Sequence, residues 1–380
     1  VDLPIEANLS PDLPSANLPL LNSSTRIPAL DGLRGIAISL VLLWHAVFQL
    51  QPTSRFLAHL LVVGRLTWSG VDLFFVLSGF LIGGILLDAQ HSPRYFKTFY
   101  LRRAFRILPL YAVALLLFSI RFLPFRAHPF LSPIPLASYF TFTQNIWMAA
   151  QGIFGAVSMS ATWSLAVEEQ FYLTAPFIVR GVTRSGLTGI LVSAVFAAPL
   201  LRMALHLLLP HGNFAAAVLM PTRADALSLG FLCALLARNS RSWTFLLARP
   251  KAINWITAAF FLGFAALSGW GYRSPTLMAI LGYSWVALFY TGCLLIAITG
   301  SCKPLVRLLC NRYLRQLGLV AYCTYLFHQS VIEGIRNIML FPHGQILGGL
   351  VGIVITIAVA RLSWTFFEKP LLRRGHAYQY

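Results

Sequence analysis

Residues 27–46 read IPALDGLRGIAISLVLLWHA. From Leu33 to Leu50 the chain holds two ionisable side chains, Arg34 and His45, and no carboxylate. At about 1.5 Å of rise per residue, an apolar run of this length matches roughly 30 Å of hydrocarbon. Nine further runs of the same kind follow, at 70–88, 105–123, 161–180, 187–209, 223–237, 252–270, 277–299, 316–336 and 346–367. The expected fold is therefore all-α, a polytopic transmembrane helix bundle of about ten spans. The stretch 134–150 is apolar but broken by Tyr139, Thr141, Thr143, Gln144 and Asn145. It is expected to be re-entrant or partly inserted.

Composition agrees with a membrane chain. Of 380 residues, 58% are hydrophobic and 11% charged, against roughly 25% charged in soluble domains. A soluble fold lacks the polar surface it needs at these proportions, whereas a bilayer accepts apolar side chains on the outside. The net charge of +18 would suggest nucleic acid in a soluble protein. Here the basic residues cluster at the ends of apolar runs, which points to membrane topology and to anionic lipid or an anionic cosubstrate. The five cysteines have neither zinc-type spacing nor the pattern of a disulfide framework, and no metal is expected. Residues 1–25 are rich in Pro, Ser and Asn and lack the basic-then-apolar order of a secretory signal. The expected organisation is a flexible tail at 1–25, a membrane domain at 26–374 and a short C-terminal tail at 375–380, with no soluble domain appended.

Charge asymmetry orients the bundle. With ten spans and the N-terminus inside, 20 of the 29 basic residues fall on the cytoplasmic side, including Arg26, Arg34, Arg102, Arg103 and Arg106. Arg121, Arg126, Arg223 and Arg336 are among the few left outside. Treating 134–150 as a full span would invert every later loop and spoil the asymmetry. Both termini are therefore expected in the cytoplasm.

Ionisable groups at bilayer depth are costly and usually mark function or a structural pair. Asp72, Glu168, Glu169, Asp225 and Glu333, with His45 and His328, lie in or at the edges of spans. Counting helix rise from the span ends, His45, Asp72, Glu168, Glu169, Asp225 and His328 share one depth band in the outer half of the membrane. Arg34 and His45 are eleven positions apart, three helical turns, so they lie on one face about 16 Å apart along the axis. A long molecule with anionic groups at one end and a reactive group at the other fits that spacing, and coenzyme A thioesters have this shape. The cluster Arg102, Arg103 and Arg106 suits the nucleotide phosphates.

At these residues the sequence resembles the acyltransferase family 3 membrane proteins along nearly its whole length. The opening segment carries that family's Arg, ten residues, His pattern as Arg34 and His45. WSGVDLFFVLSGFLIGGILL, YFKTFYLRRAFRILPLY, FTQNIW, ATWSLAVEEQFYL, RADALSLG, GLVAYCTYLFHQSVI and SWTFFEKP follow in the family's order. The resemblance implies an inner-membrane enzyme, usually bacterial. It would take an acyl group, often acetyl, from acyl-CoA and place it on a hydroxyl of a carbohydrate or glycolipid.

Under that reading His45 is the general base, since an imidazole accepts the acceptor's proton near neutral pH. Its structural alternative is a buried histidine satisfied by a backbone carbonyl. Asp72, Glu168 and Glu169 are candidates to orient it. Glu168 and Glu169 are about 100° apart on a helix, so one is expected to face the site and the other an arginine. Asp72 has a simpler reading as a carboxylate at a helix N-terminus. Arg34, Arg103 and Arg106 are assigned to the donor phosphates. Gln144, Asn145, Arg223, Asp225 and His328 are candidate acceptor-binding residues; Arg223 and Asp225 could instead pair with each other. A transporter or flippase for an anionic or glycolipid solute is the alternative function.

Overall fold

A computed structural model describes residues 27–48, 64–119, 133–271, 275–339 and 344–380. The expected tail at 1–25, and Arg26, Arg121 and Arg126, lie outside those residues. All regular structure among the described residues is helical.

Helix α1 (Pro28–Leu43) begins with Pro28 in the first turn, where a missing N–H costs no hydrogen bond. It runs into a π-helical turn, Trp44–Phe48, which carries His45. A short 3-10 turn, Arg65–Ser69, leads into α2 (Gly70–Ala89). The next helices are α3 (Tyr95–Ser119), α4 (Gln144–Gln151), α5 (Thr162–Gly181), α6 (Arg184–Leu208), α7 (Gly212–Val218) and α8 (Met220–Ala237). They are followed by α9 (Pro250–Gly271), α10 (Tyr283–Thr299), α11 (Arg312–Leu319), α12 (Ala321–Ile338), α13 (Gly344–Ser363) and α14 (Lys369–His376).

Seven helical segments among the described residues are long and apolar enough to cross a membrane. They match seven of the ten expected spans. The other three are α3, α5 and α12, of 25, 20 and 18 residues. Each carries polar groups that lower its hydropathy: Arg102, Arg103 and Arg106 on α3, Glu168 and Glu169 on α5, His328, Glu333 and Arg336 on α12. The stretch expected to be re-entrant forms two short helices, Leu136–Phe140 and α4, broken at Thr141–Thr143. The break is held by hydrogen bonds from Gln170 Nε2 to the Phe142 carbonyl (2.8 Å) and from Tyr111 Oη to the Tyr139 carbonyl (2.9 Å).

The bundle has a centre and a rim. In the best span window of Leu66–Ala89, 78% of residues are buried, against 17% in Arg184–Leu208 and in Pro250–Leu267. The rim helices turn Phe196, Leu207, Trp255 and Leu262 outward, which suits a lipid surround and not water. At the centre α2 and α8 pack closely. A Cβ on Gly79 would meet the Leu227 carbonyl at 1.9 Å, and one on Gly230 would meet the Val76 carbonyl at 2.0 Å. Reciprocal glycines let two backbones touch, a common device where helices pack without water.

The last residues lie on α3. Thr98 Oγ1 donates to the Gln379 carbonyl and Arg102 Nε to the Tyr378 carbonyl, both at 2.9 Å. Phe105 stacks on Tyr378 at 6.0 Å between centroids. Arg102 is thereby drawn to the C-terminal segment while its neighbours Arg103 and Arg106 turn elsewhere.

Candidate active site

Helices α1, α2, α3, α5, α11 and α12 enclose a cavity of about 900 Å³, counting its open mouth. Its wall brings together Arg34, Arg103 and Arg106, the three residues assigned to donor phosphates. Each comes from the expected face: Arg103 and Arg106 are three apart on α3 and so project on one side. The three guanidinium groups repel one another electrostatically, and Asp31 offsets Arg34 in part at 3.4 Å. A cluster of this kind, with one carboxylate (Glu168) in the same wall, favours a polyanion.

Beyond the arginines the wall carries Glu168 and a set of hydroxyls. Tyr172 lies one helical turn from Glu168 and bridges it to Ser78, with Oη 2.5 Å from Ser78 Oγ and 3.3 Å from Glu168 Oε2. Eight residues before Tyr172 on α5, about 12 Å along the axis, Ser164 Oγ lies 2.5 Å from Tyr325 Oη. The Tyr325 hydroxyl also donates to the Ala161 carbonyl at 3.1 Å. The cavity thus runs from a cationic end to a hydroxyl-lined end with apolar walls from Val71, Phe74, Leu77 and Leu81.

His45 is not in this wall. It is joined to it through His328 and Tyr325: His45 and His328 meet edge to face at 4.8 Å, and Tyr325 packs on His328 at 5.6 Å. His45 Nδ1 lies 2.9 Å from the Val41 carbonyl, a group one turn earlier. The turn itself is anchored by Arg336, whose Nη2 donates to the Ala46 carbonyl at 2.6 Å. A π turn offsets the backbone hydrogen-bond register, and such turns recur at functional sites.

The other candidates fall elsewhere. Asp72 is bonded to Arg223 and not to His45. On α2, Asp72 and the cavity residue Ser78 are about 120° apart around the helix axis, so Asp72 faces α8. Arg223 and Asp225 do not pair with each other, because residues two apart on a helix diverge by about 200°. Asp225 pairs with Arg202 at 3.0 Å. Sequence reasoning missed Arg202, although it is the one arginine inside the run 187–209. Its guanidinium is fully buried and donates to the Thr222 carbonyl, Asp225 Oδ2, Ser284 Oγ and the Ile280 carbonyl. Ser284 Oγ in turn donates to Asp225 Oδ2 at 2.6 Å.

Glu168 faces the cavity and Glu169 does not. Glu169 forms no ion pair among the described residues, and its Oε1 is buried without a hydrogen bond there. Gln144 and Asn145 are fully buried and hold α4 in place. Gln144 Nε2 donates to the Thr162 carbonyl (2.9 Å), and Asn145 bonds the Val218 carbonyl and Gln170. His328 is fully buried behind Tyr325 and does not line the cavity. Among the described residues no cluster of three or more His, Cys, Asp or Glu side chains is placed to hold a metal ion.

No solved structure matches this chain. The chain is 30% identical over 370 residues to the Bacillus subtilis protein named "Putative peptidoglycan O-acetyltransferase YrhL". It is 28% identical over 377 residues to peptidoglycan O-acetyltransferase OatA of Listeria monocytogenes, and 25% identical over 372 residues to O-acetyltransferase OatA of Staphylococcus aureus. Each alignment covers 92% of this chain and 55%, 56% and 58% of the respective relative, so the chain spans little more than half their length. The family described as "Acyltransferase domain" (Acyl_transf_3) matches residues 27–364. This integral membrane chain belongs to acyltransferase family 3.

Proposed function

We propose that this chain is a membrane O-acetyltransferase. It moves an acetyl group from cytosolic acetyl-CoA to a hydroxyl of a cell-wall carbohydrate, with His45 as general base. The observation that carries the reading is the cavity: arginines from two helices at one end, hydroxyls and Glu168 further in, and His45 linked to the far wall through Tyr325 and His328. Arg34 and His45, about 16 Å apart along α1 by helix rise, suit the separation between phosphates and thioester in a coenzyme A donor. Peptidoglycan is the leading acceptor, because relatives covering 92% of the chain carry that substrate in their names. Family membership does not favour the transporter alternative.

In the proposed reaction Arg34, Arg103 and Arg106 hold the donor phosphates. The acyl end passes the Ser164–Tyr325 contact to reach His45. The acceptor hydroxyl loses its proton to His45 Nε2 as its oxygen attacks the thioester carbonyl. The carbon–sulfur bond then breaks, and the sulfur takes the proton back from the imidazolium as free coenzyme A leaves. Glu168 acts from the cavity wall through Tyr172. Asp72, Arg223, Asp225, Gln144 and Asn145 act as framework, in keeping with their hydrogen bonds. The topology in this reading is ten spans in a bacterial inner membrane with both ends cytoplasmic. It puts the donor on the cytosolic side and the glycan on the other.

The test is release of free coenzyme A by the purified protein in lipid nanodiscs, given acetyl-CoA and peptidoglycan fragments, beside His45→Ala. Acceptor-dependent release that falls by about 10²–10⁴-fold in the variant is expected. Turnover that survives His45→Ala unchanged removes His45 from the chemistry. Absence of release with every glycan acceptor sinks the activity.

A further inference from the structure

Asp72 bonds Arg223, Glu168 bonds Tyr172 and Glu169 makes no contact with His45 among the described residues, yet the His45 ring is held on one side by another imidazole. His328 Nδ1 lies 2.6 Å from the Tyr325 carbonyl, and His45 Nδ1 lies 2.9 Å from the Val41 carbonyl. A carbonyl oxygen only accepts, so each Nδ1 must carry its proton. His328 is fully buried, and a second proton there would put an unpaired charge in an apolar interior. Its Nε2 is therefore a lone pair. That nitrogen lies 3.3 Å from His45 Nδ1. The His45 N–H accordingly points at two acceptors, the Val41 carbonyl and His328 Nε2, and the basic lone pair of His45 falls on Nε2. Both hydrogen-bond contacts of the His45 ring among the described residues are at Nδ1, and the ring is only partly buried.

We infer that His328 is the positioning residue of the reaction, taking the place that a carboxylate holds in a Ser-His-Asp triad. The inference rests on His45 being the general base. As His45 gains a proton at Nε2, positive charge spreads to its Nδ1–H. The lone pair of His328 accepts that hydrogen bond more strongly than an amide oxygen does. Charge is passed on as polarisation along the line from His45 Nδ1–H to His328 Nε2, and from His328 Nδ1–H to the Tyr325 carbonyl. No proton need leave His45. A neutral partner stabilises the imidazolium without placing a fixed negative charge at bilayer depth, where it would carry its own cost. The same Tyr325 whose carbonyl backs His328 presents its hydroxyl to the cavity wall. One residue thus couples the donor cavity to the base.

The experiment compares His328→Ala, His328→Gln and His328→Phe in nanodiscs, with ¹⁵N-histidine NMR of the wild-type protein assigned through His45→Ala. Glutamine returns an acceptor near the position of Nε2; phenylalanine fills the space without one. His328→Ala should lower kcat about 100-fold, with the KM for acetyl-CoA within twofold of wild type. His328→Gln should recover at least tenfold of that loss, and His328→Phe should recover none. The wild-type spectrum should show His45 protonated at Nδ1 and bare at Nε2. Phenylalanine matching or exceeding glutamine would reduce His328 to a packing group and overturn the inference. A wild-type kcat in His328→Ala, or a proton on His45 Nε2, overturns it equally. Absence of turnover in the wild-type protein sinks the proposed activity instead, and the NMR spectrum then decides the proton arrangement by itself.

Discussion

Two groups of charge lie on different faces of α2, one buried and one only partly so. Toward α8, Asp72 meets Arg223 and Asp225 meets Arg202, two cations with two anions. Arg202 and Asp225 there have their hydrogen bonds met by Thr222, Ile280, Ser284 and the Ala226 N–H, and the Arg223 guanidinium is covered by the Tyr283 ring at 4.0 Å. Toward α5, Arg34, Arg103 and Arg106 share a cavity wall with the carboxylate of Glu168, and Asp31 offsets Arg34 from outside that wall. The first cluster is enclosed and neutral, as a structural network without water must be, although Arg223 Nε and Nη1 make no hydrogen bond among the described residues. The second lines a cavity and keeps three cations against two carboxylates, Glu168 and Asp31, an excess that suits an anionic ligand. All of these residues are charged side chains in or beside apolar runs. Stoichiometry and enclosure tell the two uses apart.

The largest effect is expected at the closed cluster. Asp225→Ala leaves Arg202 buried without its counter-charge and should cost about 3–5 kcal/mol of stability. The thermal midpoint and the yield of monodisperse protein would register this. The double variant Arg202→Met with Asp225→Leu should recover most of the loss, because removing both charges removes the unpaired one. If the single variant is as stable as wild type, the network is not structural.

At the open cluster the signature reverses. Arg103→Gln should raise the KM for acetyl-CoA about 10–100-fold, the value of one charge-assisted contact of about 1.5–3 kcal/mol. Its thermal midpoint should stay close to wild type, since a partly exposed, unpaired arginine contributes little to the fold. A variant that melts early with normal donor KM would place Arg103 with the structural charges. Tyr325→Phe is the mildest change. It removes a hydroxyl bonded to Ser164 and to the Ala161 carbonyl, worth about 1 kcal/mol. The expected outcome is a kcat altered less than tenfold in single-turnover assays. A complete loss would make the hydroxyl part of the chemistry.

Much of this was legible beforehand, for stated reasons. Helix number and placement follow from apolar runs of bilayer length, so seven spans coincide with helices of span length and hydropathy. The convergence of the arginine trio was readable because i, i+3 spacing on α3 and the position of Arg34 inside the apolar pattern of α1 fix their faces. The roles of Asp72, Arg223 and Asp225 were not readable. Depth counting puts Asp72 and Asp225 in the same layer as His45, but depth says nothing of azimuth. Two residues at one level on different faces of a helix belong to different environments. Arg202 escaped notice because a lone arginine in an apolar run has no partner visible in one dimension.

What the sequence by itself determined is therefore the medium and the helices, because these depend on composition and on the length of apolar runs along a single chain. What the tertiary structure decided is which charges neutralise one another, which line a cavity, and that the partner of His45 is the imidazole of His328, 283 residues away. Those outcomes depend on how helices are rotated against their neighbours. That rotation is set by close packing such as Gly79 on Leu227 and Gly230 on Val76, not by any property of one helix alone.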